Sequence, residues 1–351
     1  MIAPATFSRR AVHGAASAPL HKHMDGRALG EGHALAFTGA AGQRRMAGTL
    51  LKCWGWMLLC AGLVGAASPA LVLAAPQAVT VPSLDAPLGG AAVALPATWF
   101  SASTTGRAPA LVLLHGCGGL GDSRDGGAVR LAARYTELAA FLNGLGIHVL
   151  VTDSLTPRGE RELCTQRTGE RRVTQLQRRR DALGALRWLA AQPGVDTARL
   201  GVLGWSNGGS TVLAATNLQH PEVARAAAAG TRASLAVALY PGCEAELKRG
   251  YRPAAPLMML LGEADDWTPA APCKQLAAQA LPEGGVAAPQ FEAYEGAHHG
   301  FDGTVPVRLR RDVPNGVSPG QGVHAGAHPE ARAAARQRLE RFLREIWSLV
   351  P

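Results

Sequence analysis

The chain has 351 residues, of which 47% are hydrophobic and 17% charged, enough apolar material for a sizeable core and a poor match to a disordered chain. The formal charge is +9. Seven basic and two acidic residues fall within the first 74, so the remainder carries roughly +4, too little to point to nucleic acid.

Residues 1–45 lack periodicity and read as a leader of uncertain status, or as sequence upstream of a true start at Met46. Arg44, Arg45 and Lys52 precede an apolar run from Cys53 to Ala67. That is the pattern of a secretory signal peptide over 46–74, cleaved after Ala74. The run is short for a membrane span, so no stable span is expected after cleavage; an uncleaved anchor helix is the alternative. The protein is expected in the periplasm or secreted. Cys117, Cys164, Cys243 and Cys273 then remain, an even number suited to an oxidising compartment. Of three possible pairings, Cys117–Cys164 and Cys243–Cys273 are preferred, because each links neighbouring loops on one edge of a sheet.

From residue 76 onward the pattern is α/β. Residues 76–98 predict one or two opening strands. Leu111–Leu114 is a continuous apolar run ending in His115-Gly116-Cys117-Gly118-Gly119. Leu131–Leu145 carries apolar residues at three- and four-residue spacing, as a helix requires. Ile147–Thr152 predicts a strand ending at Asp153. Residues 154–180 hold eight arginines, Arg158 among them, and predict a loop followed by a helix to about Gln192. These arginines read either as a solvated face or as a basic rim favouring anionic substrates. Further strands are predicted at 200–203, 235–240, 257–261 and 290–294, an Ala-rich helix over Thr211–Leu218, a Gly/Pro-rich excursion over 302–328, and a closing amphipathic helix over 330–349. Strands alternating with helices mean a mostly parallel sheet covered on both faces, in one domain over 76–351.

The chemistry centres on Gly204-Trp205-Ser206-Asn207-Gly208, a G-x-S-x-G pattern between a strand and a helix, the context of a nucleophile elbow. A serine hydroxyl needs a base, and the base needs an orienting carboxylate. In this order of elements both follow the serine, at strand ends. Asp265 lies just past strand 257–261 and His299 just past strand 290–294; their rivals are Asp266, which also suits a supporting or helix-capping role, and His298. The oxyanion hole is expected from the amides of Asn207 and of Cys117, with Gly116 as alternative. Trp205, Trp267 and Arg158 are candidates for the substrate pocket. No cofactor is expected, and no His/Asp/Cys set has metal-ligand spacing.

Leu-Leu-His115-Gly-Cys117-Gly-Gly, Asp153-Ser-x-x-Pro157-Arg158-Gly159, Gly204-Trp-Ser206-Asn-Gly-Gly209, Tyr240-Pro-Gly-Cys243, Gly262-Glu-x-Asp265-Asp-Trp-Thr-Pro269-x-x-x-Cys273 and Gly296-Ala-His-His299-Gly-Phe301 together resemble the dienelactone hydrolase family of the α/β-hydrolase fold. The resemblance covers nearly all of residues 80–350. It implies ester hydrolysis by Ser206, Asp265 and His299. Its founding members use a cysteine where Ser206 stands, so it implies acyl transfer without specifying dienelactone. The expected partner is a small-molecule ester or lactone; oligomeric state is not legible. A catalytically silent hydrolase-fold binding protein is the competing reading.

Overall fold

Leu111, Leu113, Val149, Val151, Val237 and Met258 are wholly buried, each on a strand with apolar residues facing both ways, the mark of strands covered on both faces. They form the centre of an eight-stranded sheet in the computed structural model, which describes residues 75–86, 90–121 and 131–349. The leader and signal peptide expected over 1–74 lie outside these residues. The described residues belong to one unit, Ala67–Pro351.

The strands are β1 (Gln77–Pro82), β2 (Ala94–Phe100), β3 (Ala108–Leu114), β4 (His148–Thr152), β5 (Val195–Trp205), β6 (Leu235–Leu239), β7 (Leu257–Gly262) and β8 (Gln290–Tyr294). Their order across the sheet is β1-β2-β4-β3-β5-β6-β7-β8. β1 and β2 run antiparallel at one edge, and every pairing from β4 to β8 is parallel. The helices are α1 (Ala133–Gly144), α2 (Gln175–Ala190), α3 (Asn207–Ala215), α4 (Pro221–Ala228), α5 (Glu244–Arg249), α6 (Ala270–Gln279) and α7 (Pro329–Trp347).

Alternation along each strand sorts the core into two layers. Val112, Leu114 and Val202 face α2, α3 and α6 through Ala182, Leu186, Val212 and Leu276. Leu111, Leu113 and Leu203 face α1 and α7 through Leu138, Leu142, Phe342 and Trp347. Gly201 leaves room for this second layer: a Cβ there would lie 2.7 Å from Leu111 Cδ2 and 3.0 Å from the Trp347 ring. α2 begins with a capping box, in which the Thr174 hydroxyl accepts the Leu176 N–H and Gln177 reaches back to the Thr174 N–H.

Two expectations change. The helix after the serine starts at Asn207 rather than Thr211 and ends at Ala215, where the Thr216 hydroxyl donates to the Val212 carbonyl (2.7 Å). Gly208 and Gly209 therefore lie within the helix. The excursion over 302–328 contains a two-stranded antiparallel sheet, β9 (Arg308–Arg310) with β10 (Val323–Ala325). Both disulfides form with the preferred pairing, Cys117–Cys164 with Cα atoms 5.0 Å apart and Cys243–Cys273 at 5.1 Å. Among the described residues, no helix is long and apolar enough to cross a membrane.

Candidate active site

Ser206 stands between the end of β5 and the first turn of α3 with φ 53° and ψ −118°. A non-glycine residue in that region stores strain of about 1–3 kcal/mol. Its N–H donates to the Leu239 carbonyl (2.9 Å), and its own carbonyl accepts the Ser210 N–H (2.8 Å), which fixes the turn at both ends. The turn closes only because two of its residues lack side chains. A Cβ on Gly204 would lie 2.3 Å from the Gly208 oxygen, and one on Gly208 would lie 2.1 Å from the Leu114 oxygen.

The loops after β7 and β8 bring the other two residues to this edge. His299 Nε2 is 2.8 Å from Ser206 Oγ, and His299 Nδ1 is 2.9 Å from Asp265 Oδ2. All three residues are buried. A carboxylate that accepts Nδ1–H leaves Nε2 unprotonated and able to accept from the serine. Asp265 is itself held: Oδ1 accepts the N–H groups of Trp267 (2.9 Å) and Thr268 (2.8 Å), and the Thr268 hydroxyl lies 3.1 Å from Oδ2. The imidazole sits between two aromatic rings, Tyr240 edge-on at 4.7 Å and Trp267 tilted at 4.5 Å. Gly262 permits the two loops to meet, since a Cβ there would fall 2.3 Å from the Ala297 oxygen.

A cleft of about 620 Å³ opens above the serine, lined by Gly116, Cys117, Ser206, Trp267 and His299 among others. Asn207 is the first residue of α3, so its N–H has no acceptor within the helix. Trp267 is among the residues that line the cleft. Trp205 forms part of the floor but is buried, with its indole N–H donating to Asp302 Oδ2 (2.8 Å).

Arg158 does not line the cleft. It donates to both oxygens of Asp181 (2.8 and 2.9 Å), to Asp85 (2.9 Å) and to the Ser154 carbonyl (2.7 Å), tying the loop after β4 to α2 and to the segment after β1. Its charge is consumed by these partners, so it serves the fold rather than the pocket. The arginine-rich stretch is likewise neither wholly solvated nor a rim of the cleft, because Arg178 and Arg179 are buried and none of its eight arginines lines the cleft. The cleft is edged instead by Arg308, Arg310 and Arg332.

Three residues with no role assigned from sequence support the site. Arg178, from α2, donates through Nη2 to the His115 carbonyl (2.6 Å) and through Nη1 to the Asn207 side chain. It thus joins the glycine-rich loop to the residue after the serine. Burial draws its guanidinium down to about 10, so it stays charged at neutral pH. Its place at four- and seven-residue spacing from Ala182 and Ala185 puts it on the buried stripe of α2, a signal that was present in the sequence. His115 accepts the Ser154 N–H at Nε2 (3.2 Å) and donates from Nδ1 to the Gly116 carbonyl (2.7 Å). Burial, with the Arg178 charge, lowers it to about 3, and it remains neutral. Asp302 accepts from Tyr240 (2.6 Å) and from Trp205, fixing the aromatic wall beside His299. Burial, then the Asp302 charge, holds the Tyr240 phenol well above its ordinary range.

Asp266 and His298 stand outside this chain of hydrogen bonds. Asp266 does not cap α6; its Oδ2 lies 2.7 Å from His324 Nδ1, and its Oδ1 accepts the His324 N–H (2.8 Å). His298 approaches the same histidine, with ring centroids 5.3 Å apart. The sequence showed no metal-ligand spacing because Asp266, His298 and His324 come from three separate segments, which the fold brings together.

A serine held at the carboxyl edge of a parallel sheet, with a histidine and an aspartate hydrogen-bonded to it in series from loops after later strands, is the arrangement of an α/β hydrolase. The sequence profile of the dienelactone hydrolase family matches residues 98–347. The chain belongs to that family, and with it to the enzymes that hydrolyse ester bonds. No curated protein sequence matches it. Among solved structures it is similar to the dienelactone hydrolase-like promiscuous phosphotriesterase P91 from metagenomic libraries (TM-score 0.51, 17% identity, 78% of this chain and 99% of that one). It is also similar to Thermogutta terrifontis esterase 2 phosphorylated by paraoxon (0.50, 19%, 78% and 96%). Porphyromonas gingivalis dipeptidyl peptidase 4 shares the fold over 36% of its own length (0.51, 14%, 78% of this chain). At these identities the likeness is one of fold, and fold alone does not fix function.

Proposed function

We propose that the chain is an exported serine hydrolase that cleaves carboxylic esters or lactones through an acyl-enzyme on Ser206. The observation that carries this reading is the unbroken run of hydrogen bonds from Ser206 Oγ through His299 to Asp265, at 2.8 and 2.9 Å. His299 takes the serine proton as Oγ attacks the ester carbonyl. The amides of Asn207 and Cys117 receive the negative charge that develops on the carbonyl oxygen. His299 then passes the proton to the leaving alcohol, and water repeats the sequence on the acyl-enzyme. Asp265 holds the resting imidazole in the acceptor tautomer and stabilises the imidazolium that forms when His299 takes the serine proton. The cleft has the size of a small-molecule site. Export is supported by the two disulfides and by the signal-peptide pattern at 46–74.

The test is a panel of p-nitrophenyl esters and small lactones offered to the processed protein. Turnover is expected on at least one short acyl ester, with Ser206→Ala reduced to background. A folded wild-type protein that turns over no member of the panel would reject the proposal.

A further inference from the structure

We propose that Asp266, His298 and His324 form a binding site for a divalent transition-metal ion of the zinc type, distinct from the Ser206–His299–Asp265 chain. One ligand atom from each of the three residues lies within 4.8 Å of the other two. They come from three segments: Asp266 follows β7, His298 follows β8, and His324 is on β10. Two imidazoles and one carboxylate are the donor set that zinc-type ions favour, whereas calcium and magnesium require mostly oxygen ligands.

A second observation points to a missing ligand. Nδ1 of His298 is buried and has no hydrogen-bond partner among the described residues. A buried polar atom left unsatisfied is costly, so the His298 imidazole carries a nitrogen that no protein group claims. Asp266 and His324 are already oriented toward each other by the 2.7 and 2.8 Å contacts between them. Their side chains are 36% and 46% exposed, which leaves an open side for an ion to enter and for water to complete the coordination. Bond lengths near 2.1 Å place the ligands of a four-coordinate ion about 3.4 Å apart. Separations at the 4.8 Å limit would therefore close by about 1.4 Å, while Asp266 Oδ2 and His324 Nδ1, 2.7 Å apart, would open by about 0.7 Å, shifts within reach of exposed side chains on a two-stranded edge.

The site would act as a clasp. The excursion is joined to the loops of the candidate triad by backbone bonds, Val317 N–H to the Asp266 carbonyl and Gly326 N–H to the His299 carbonyl, both 2.9 Å. An ion shared by Asp266, His298 and His324 would lock the same three segments together. It would thereby hold the wall of the cleft formed by Arg308, Arg310 and Ala325. This inference does not depend on ester hydrolysis by Ser206, and its test reads binding rather than turnover.

The experiment uses tag-free protein stripped with a chelator and titrated with zinc chloride by calorimetry, with thermal unfolding followed in parallel. One zinc per chain and a rise in Tm are expected. His298→Ala and His324→Ala should each weaken binding by more than about tenfold and abolish the rise in Tm. His299→Ala should bind zinc as the wild type does, which separates this site from the triad histidine. Circular dichroism checks folding; if His298→Ala misfolds, the exposed His324→Ala decides. Absence of saturable one-to-one binding, unchanged binding in folded His324→Ala, or binding lost in His299→Ala but kept in His324→Ala would each overturn the proposal.

Discussion

Asp265→Asn is expected to lower kcat for ester hydrolysis by about 10⁴-fold, whereas Asp266→Asn leaves it near the wild-type value. The two carboxylates are adjacent in sequence, but the turn after β7 sends them in opposite directions. Asp265 is buried and meets Nδ1 of His299 at 2.9 Å. An asparagine there keeps Oδ1 for the Trp267 and Thr268 N–H groups, so the turn survives. Its NH2 group then faces Nδ1 as a donor. The imidazole shifts its proton to Nε2 and can no longer accept from Ser206. Asp266 faces His324 at the surface and touches neither Ser206 nor His299 through any hydrogen bond found among the described residues. Steady-state kinetics on a p-nitrophenyl ester, with unfolding curves to confirm folding, checks both variants. A collapse of kcat in Asp266→Asn with Asp265→Asn intact would reverse the assignment.

The second large effect is expected at a residue that does not face the cleft. Arg178→Met should lower kcat by about 10²–10³-fold, the loss typical of a disabled oxyanion-hole donor, with KM changed far less. The guanidinium joins the His115 carbonyl to the Asn207 side chain. Without it the glycine-rich loop and the turn after Ser206 lose their common brace, and the amides of Cys117 and Asn207 lose alignment. Those amides matter most when charge develops on the carbonyl oxygen, so the effect belongs in kcat. Arg178→Lys retains a charge that can reach one of the two partners and should recover part of the loss. Folded Arg178→Met with unaltered kcat would show that the arginine serves stability alone.

Much of this site was legible in the sequence because the relevant signals are local. The central strands announce themselves as short apolar runs, since they are buried on both faces, and β5 and β7 lead directly into the turns that carry Ser206 and Asp265. Glycines at 204 and 208 mark the elbow, and the paired cysteines lie in neighbouring loops. What escaped the sequence depends on distant partners. Arginine is ordinarily solvated, so the half-buried, fully paired state of Arg158 could be foreseen only by knowing that Asp181 and Asp85 surround it. Asp302 supports residues 62 and 97 positions away. The β9–β10 pair consists of three-residue strands set among glycines and prolines, too short for a period-two pattern to emerge.

Activation of the Ser206 hydroxyl by His299 is what the proposed function depends on. The most direct measurement is intact-mass analysis after exposure to a fluorophosphonate or to paraoxon. The account predicts a single adduct on the wild-type chain, mapped by peptide sequencing to Ser206, and none on Ser206→Ala. A folded wild-type protein that remains unlabelled, or an adduct that persists in Ser206→Ala, would contradict it.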